Sequence, residues 1–339
     1  MKSIGWIVHG RLERSRRWIH LLSQLTNDSE FKHEILYTEF AGHGIALSQE
    51  YCKRDLTAIV AVGGDGTINE CVNGIMQSGK PMALGIVAMG TGNDFVIIDN
   101  RDGSISLSNE QIAFLCNRRF GVGADGLMLL GTANGFDFSM TYYNADGTEG
   151  TMCGNGGRCL VQFAHDNGIV KEHYSFIAID GPHEATIHNN GWIHLKMSDV
   201  SSVETGEGFF VTNTGSPHYI QVVKGVEQMD VFSEGKAIRY NERFAKEGVN
   251  VNFVEHQQDH LFVRTYERGV ENETYSCGTG VTAAAITSCL HKAGEHTVNI
   301  QTLGGKLAVS FNNQGGGHFN HIWLKGPGTF VYKASIHVK

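Results

Sequence analysis

Two stretches of this chain put a cysteine where a polar, acid-containing run gives way to a small or apolar helical pattern. The first reads Glu149-Gly-Thr-Met-Cys153-Gly-Asn-Gly-Gly-Arg-Cys-Leu-Val and the second Glu273-Thr-Tyr-Ser-Cys277-Gly-Thr-Gly-Val-Thr-Ala-Ala-Ala. Free backbone N–H groups and the positive end of the helix dipole stabilise a thiolate at such a position. The same N–H groups can hold a carboxylate. A lone Cys-Gly at a helix start is more often structural than catalytic, but a matched pair predicts two thiols acting on one substrate. Cys52, Cys71, Cys116, Cys159 and Cys289 read as small core residues. No second Cys/His pair with zinc spacing lies near Cys153 and Cys159, so no metal site is expected.

The elements that must position these residues differ along the chain. Ser3 to His9, His33 to Thr38 and Thr57 to Val62 read as strands, the last of them buried and parallel. Arg14 to Leu25 and Ala46 to Lys53 read as helices, so the first ninety residues alternate in the βαβ manner of an α/β layer. Gly63-Gly64-Asp65-Gly66-Thr67 follows, and then a helical run from Ile68 to Met76. A glycine-rich turn between a strand and a helix start is a phosphate-cradling geometry, which makes Gly63, Gly64, Asp65, Gly66 and Thr67 candidate nucleotide contacts. From about Ala83 the texture changes to short strands, many turns and the two glycine-preceded helices. Gly191 to Met197, Ile220 to Val223, His260 to Tyr266 and His321 to Lys325 alternate like half-exposed strands. This part is expected to be α+β.

Composition narrows the class of function. The chain has 339 residues, 41% apolar and 18% charged, enough for two or three domains with their own cores. A net charge of −8 argues against nucleic acid as a partner. No apolar run has the length of a membrane span and the first residues lack a signal peptide's apolar core, so no membrane role and a cytoplasmic location are expected. Seven cysteines spread over the chain fit reduced thiols. Against four prolines stand 43 glycines, which favours loops built around a small polar ligand. Gly121-Val-Gly-Ala-Asp-Gly126 matches the dinucleotide fingerprint letter for letter, but no buried strand precedes it, so it reads as coincidence.

From residue 90 onward the chain resembles the diaminopimelate epimerase family. The resemblance rests on Gly90-Thr-Gly-Asn-Asp-Phe-Val-Ile-Ile-Asp99, Arg119-Phe-Gly-Val-Gly-Ala-Asp125, Asn144-Ala-Asp-Gly-Thr-Glu149, Cys153-Gly-Asn-Gly-Gly-Arg-Cys159, Gly215-Ser-Pro-His218, Val249-Asn-Val251, Tyr266-Glu-Arg-Gly269 and Cys277-Gly-Thr-Gly280, in the family's order. It implies two pseudo-symmetric α+β domains with a cleft between them, preceded by the partial α/β segment. The expected boundaries are 1–88 for that segment, 89–199 plus 326–339 for one domain and 200–325 for the other. It also implies an amino-acid epimerase of lysine and cell-wall precursor biosynthesis that needs no cofactor, with a small amino-acid substrate and a homodimeric state. By resemblance Cys153 and Cys277 are the acid/base pair, tuned by His218 and Glu267. Asn93, Asn144, Gly154, Asn155, Ser216, Asn250, Gly278 and Thr279 would contact substrate, with Glu267 and Arg268 at its charged far end. Gly126 stands where many members have a contacting glutamine, and Ser216 where many have asparagine.

Residues 57 to 95, from Thr57-Ala-Ile-Val-Ala-Val-Gly-Gly-Asp-Gly-Thr-Ile-Asn-Glu70 to Gly90-Thr-Gly-Asn-Asp-Phe95, resemble the diacylglycerol kinase family of lipid kinases, whose Gly-Gly-Asp-Gly-Thr loop meets ATP phosphates. The likeness extends weakly upstream through Tyr37-Thr-Glu-Phe-Ala-Gly-His43. The second kinase domain is replaced by the epimerase-like part, and Gly90 to Phe95 belongs to both patterns. A lipid kinase or a non-catalytic nucleotide-binding module is therefore the alternative function. Leu84 to Met89 would then serve as the first strand of the epimerase-like part.

Overall fold

The computed structural model of the chain describes residues 2–13, 19, 31–40, 42–54, 56–63, 67, 70–71, 75, 83–88, 93–118, 120–188 and 191–329. Two compact units divide the described residues, one of those up to residue 91 together with Thr329 and the other of those from 92 to 328.

The first unit is a four-stranded parallel sheet. Its strands are β1 (Lys2–His9), β2 (Phe31–Thr38), β3 (Ala58–Gly63) and β4 (Ala83–Ala88), in the order β2-β1-β3-β4. Alternation sends neighbouring residues to opposite faces. Ile7, Ile59 and Ala61 join one buried cluster with Leu47, Tyr51 and Cys52 of helix α1 (His43–Cys52), while Trp6, Val8 and Val62 form another. Covering both faces is what a parallel sheet requires, and it explains the continuous apolar runs. Helix α1 begins three residues before the expected Ala46. The N–H groups of Gly42 and Gly44 donate to the Glu70 carboxylate at 2.6 and 2.9 Å, so a side chain far along the sequence fixes the first turn. The expected helix at 14–25 and most of that at 68–76 lie outside the described residues.

β4 corrects one expectation. It pairs with β3 over six residues and belongs to the small sheet rather than opening the epimerase-like part. The physical reason is pairing: the edge of β3 offers a full row of backbone groups that a parallel strand satisfies.

The second unit holds one 16-stranded sheet. From one edge it runs through β5 (Phe95–Asp99), β6 (Gly126–Gly131), β7 (Phe138–Asn144), His173–Ala178, Gly181–Ile187 and Trp192–Lys196. It continues through His318–Pro327, Gly305–Gly315, Gly294–Thr302, Leu261–Glu267, Asn250–His256, Pro217–Val222, Phe209–Asn213 and Val203–Thr205. The helices are α2 (Asn109–Cys116), α3 (Gly154–Asp166), α4 (Val231–Arg239) and α5 (Gly278–Ser288).

The topology is a repeat. β5, α2 and β6 form a parallel pair with a crossover helix; β7, the short antiparallel strand Glu149–Gly150, α3 and the parallel strand His173–Ala178 follow. In the other half Pro217–Val222, α4, Asn250–His256, Leu261–Glu267, Asn272–Thr274, α5 and Gly294–Thr302 repeat the same order and senses. The two cysteines occupy equivalent places, at the starts of α3 and α5. The fold is therefore pseudo-symmetric α+β, as the resemblance implies.

Both cysteine helices feed one apolar core, in which Leu160, Val161 and Ala164 join Val281, Ala284 and Ile286. Residues 280–287 of α5 are all buried, which follows from a sequence apolar or small on every side. Fully burying side chains such as Leu160 or Ile286 is worth about 1.5–3 kcal/mol each before cavity and entropy terms.

Candidate active site

Helix starts distinguish the site from the rest of the molecule. α1 is held by Glu70, α2 by a capping box of Ser108 and Gln111, and α4 by Asp230, which accepts from Ser233 N–H. α3 and α5 begin at Cys153 and Cys277 with no side-chain cap. Their free N–H groups, with the dipole behind them, form two anion-binding ends.

Those two ends meet. A Cβ placed on Gly278 would lie 3.5 Å from the Gly154 Cα and 2.9 Å from the Leu324 side chain; one on Gly154 would lie 3.7 Å from the Gly278 Cα. Only glycine at both positions lets the helices approach this closely over the fully buried Leu324. Asn155 ties the halves together, donating to Asn93 Oδ1 at 2.8 Å and to the Ser276 carbonyl at 3.2 Å. The buried Arg158 donates to Asn155 Oδ1 at 2.9 Å and to the Gly154 carbonyl, which fixes the orientation of that amide.

Around Cys277 the polar groups form a chain. Its Sγ lies 3.5 Å from Thr279 Oγ1, which lies 3.1 Å from Ser216 Oγ. Ser216 Oγ is 3.0 Å from His218 Nε2 and accepts from Asn250 Nδ2 at 3.0 Å. Asn250 Oδ1 accepts from Arg268 N–H, and Glu267 accepts from Thr274 at 2.8 Å. The Arg268 guanidinium donates to the Glu247 carbonyl at 3.2 Å. Asn144, at the end of β7, donates to Thr148 and, among the described residues, makes no hydrogen bond to the other candidates.

Electrostatics separate the two thiols. Burial raises Cys153, and Glu267 adds to the rise, while the N–H groups of Gly156 and Asn155 lower it. Burial pushes Cys277 up to about 12, with further increases from Glu267 and from Cys153, opposed by Thr279 and the Gly280 N–H. Burial also raises Glu267. His218 is fully buried and driven down to about 3, first by desolvation and then by Arg268, so the ring is neutral. These opposing pushes mark a site where protonation states are set by surroundings.

Sequence reading missed several contributors. Asp125 accepts from Asn93 and from the Asp94 N–H, and Arg118 bridges Asp94 and Asp125 at 2.6 Å. Asn252 holds His218 Nδ1 at 3.0 Å and accepts from Thr265. The signal for Asn252 was present in its two-residue spacing from Asn250, which puts both amides on one strand face. Gly121 to Gly126 leads into β6 rather than a helix, which confirms that the dinucleotide match is coincidental. In the first unit Thr67 is buried against Gly63; Gly64, Asp65 and Gly66 lie outside the described residues.

The fold and the paired helix starts are those of a pseudo-symmetric α+β protein, and relatives named diaminopimelate epimerase make the chain an amino-acid isomerase. The diaminopimelate epimerase model matches residues 85–203 and 210–330, and this chain belongs to that family. The diaminopimelate epimerase of Flavobacterium psychrophilum is 49% identical over 250 residues, covering 73% of this chain and 97% of that protein. Those of Chlorobaculum tepidum and Aquifex aeolicus are 45% and 40% identical, covering 73% and 72% of this chain and 98% and 93% of theirs. A phenazine biosynthesis protein of the PhzF family from Bacillus anthracis shares the fold at a TM-score of 0.56 and 13% identity, covering 70% of this chain and 91% of its own. The diacylglycerol kinase catalytic domain model matches residues 9–113, so the two matches overlap over residues 85–113. No helix among the described residues is long and apolar enough to cross a membrane.

Proposed function

We propose that this chain interconverts LL- and meso-diaminopimelate by moving a proton at Cα between Cys153 and Cys277, without a cofactor. The observation that carries this reading is the meeting of two uncapped helix starts at Gly154 and Gly278, each led by a cysteine. The thiolate of one cysteine takes the Cα proton and becomes a thiol. The thiol of the other gives its proton to the opposite face and becomes a thiolate, so the enzyme ends one proton exchange away from its starting state. The negative charge that develops on Cα and its carboxylate falls toward the N–H groups at the two helix starts, of Gly154 and Asn155 in one and Gly278 and Thr279 in the other. Burial makes each thiolate a stronger base than it would be in water, which suits a weakly acidic C–H bond.

The remaining residues position the pair and the substrate. His218, kept neutral, and Asn250 hold the Ser216 hydroxyl against Thr279, next to Cys277. Asn93 and Asn155 order the opposite helix start. Glu267 and Arg268 would hold the charged far end, the arginine by paired hydrogen bonds to a carboxylate. The name carried by the relatives, their coverage of nearly their full lengths and the residue-by-residue motif match support diaminopimelate as the substrate. The same reading makes the protein a cytoplasmic homodimer of lysine biosynthesis. Incubation with LL-diaminopimelate in deuterated water tests it: meso product carrying α-deuterium is expected, and folded protein with no exchange overturns it.

A further inference from the structure

The repeat sets residues of the two halves side by side, and one pair does not match. Phe95 lies opposite Gly126 in the β5–β6 register, as His218 lies opposite Asn250 in the other half. Gly126 is in turn opposite Asn144, and Asn250 stands one step beyond Val251, which faces Tyr266. Gly126 is therefore the counterpart of Asn250. In the Cys277 half this position carries an amide that bonds Ser216 and the Arg268 N–H. In the Cys153 half it carries no side chain at all.

The space is taken by a neighbour. A Cβ at Gly126 would lie 2.6 Å from Tyr142 Cε2 and 3.0 Å from Tyr142 Oη, so the tyrosine ring and hydroxyl occupy the volume a side chain at 126 would fill. On its other side the ring lies 3.1 Å from where a Cβ of Gly150 would be, and its edge meets the Phe95 ring with centroids 6.0 Å apart. Two glycines and an aromatic edge thus hold the ring in one place. Phe138, Met140 and Tyr142 share one face of β7, and Met140 already reaches the first turn of α3 at Gly156. One strand repeat further brings Tyr142 to the level of the helix start. Burial and then the charges of Cys153, Asp125, Cys116 and Glu267 act on its hydroxyl, which has no hydrogen-bond partner among the described residues. The hydroxyl is not among the buried unpartnered atoms of the described residues, so it is open to a polar group arriving from outside.

We infer that the Tyr142 hydroxyl is a substrate-binding group of the Cys153 half, donating a hydrogen bond to the bound amino acid from the place that Asn250 occupies in the other half. This rests on the epimerase reading and adds a contact to it. Tyr142→Phe keeps the ring against Gly126, Gly150 and Phe95 and removes only the hydroxyl. The expected result is a KM for LL-diaminopimelate raised about tenfold, with kcat changed less than about threefold and the melting temperature unaltered, because one hydrogen bond to a charged group is lost from binding. Unchanged KM and kcat in Tyr142→Phe, beside a wild-type chain that turns over, overturn the inference alone. A wild-type chain that fails to exchange the α-proton overturns the epimerase reading instead. Should the variant not fold, the 13Cζ resonance of Tyr142 in the wild-type chain decides: it moves on saturation with the amino acid if the contact forms, and a fixed resonance overturns it.

Discussion

The half that carries Cys153 and the half that carries Cys277 share strand order and helix placement but not surroundings. Cys153 keeps part of its surface open to solvent and faces two opposing N–H groups; Cys277 is buried and leans on a hydroxyl chain through Thr279, Ser216 and His218. The charge of Cys153 raises Cys277 further, so ionising one thiol opposes ionising the other. A two-base reaction that runs both ways needs one base loaded and one empty. The lesson is that a symmetric topology can hold an asymmetric proton inventory, because burial and nearby groups set the pKa values and topology does not.

Substitutions in the two halves test their separate roles. Cys153→Ala and Cys277→Ala should each lower epimerisation by about 10³-fold or more, since each removes one acid/base group outright. Normal turnover in either would end the two-thiol mechanism. Gly278→Ala should lower kcat by roughly 10- to 100-fold, because it forces apart two helix starts that contact Leu324 on both sides and a small misplacement of reacting groups is costly. Gly154→Ala, with slightly more room, should be milder, and the ratio of the two is read from steady-state kinetics.

Both thiols are raised, so the reactive thiolate is scarce at neutral pH and grows as pH rises. We expect kcat/KM to increase about tenfold per pH unit on the acid side of the first thiol pKa. A flat profile between pH 6 and 8 would place that pKa below the range and contradict the burial argument. His218 gives a signal in stability rather than in activity. Its folded pKa of about 3 lies below that of a free histidine, so the unfolded chain binds the extra proton as pH falls below about 6.5. Folding stability should fall by about 1.4 kcal/mol per pH unit from this group as pH drops from about 6.5 toward 3, visible in urea midpoints. Cys159→Ser, the smallest effect, should leave turnover within about twofold, since this residue packs against the core beyond the reacting pair.

Much of the site was legible in the sequence, the two cysteine-led helix starts from the residues and the other positions from the family resemblance. Cys153, Cys277, Gly154, Gly278, Asn155, Ser216, His218, Asn250 and Thr279 do come together, the helix starts bringing their own neighbours and strand pairing bringing His218 and Asn250 to Ser216. Asn144 was legible as a position and not as a partner, since its amide turns to Thr148. Asp125, Arg118, Asn252 and Tyr142 escaped notice because their roles come from residues distant in the chain. β4 escaped for a similar reason: an apolar run of six can extend either of two sheets, and only pairing decides which.

Local chemistry was therefore settled by the sequence: two Cys-Gly-x-Gly helix starts, an α/β opening segment, and the order of motifs that marks the family. Those properties depend on neighbours a few residues apart, where backbone capping and side-chain periodicity act. The tertiary structure alone decided that the two helix starts touch, that Cys277 is buried more deeply than Cys153, that His218 is neutral, and that Tyr142 fills the place of a missing side chain. Each of these depends on which distant groups exclude water or supply charge, and burial is a property of the assembled fold.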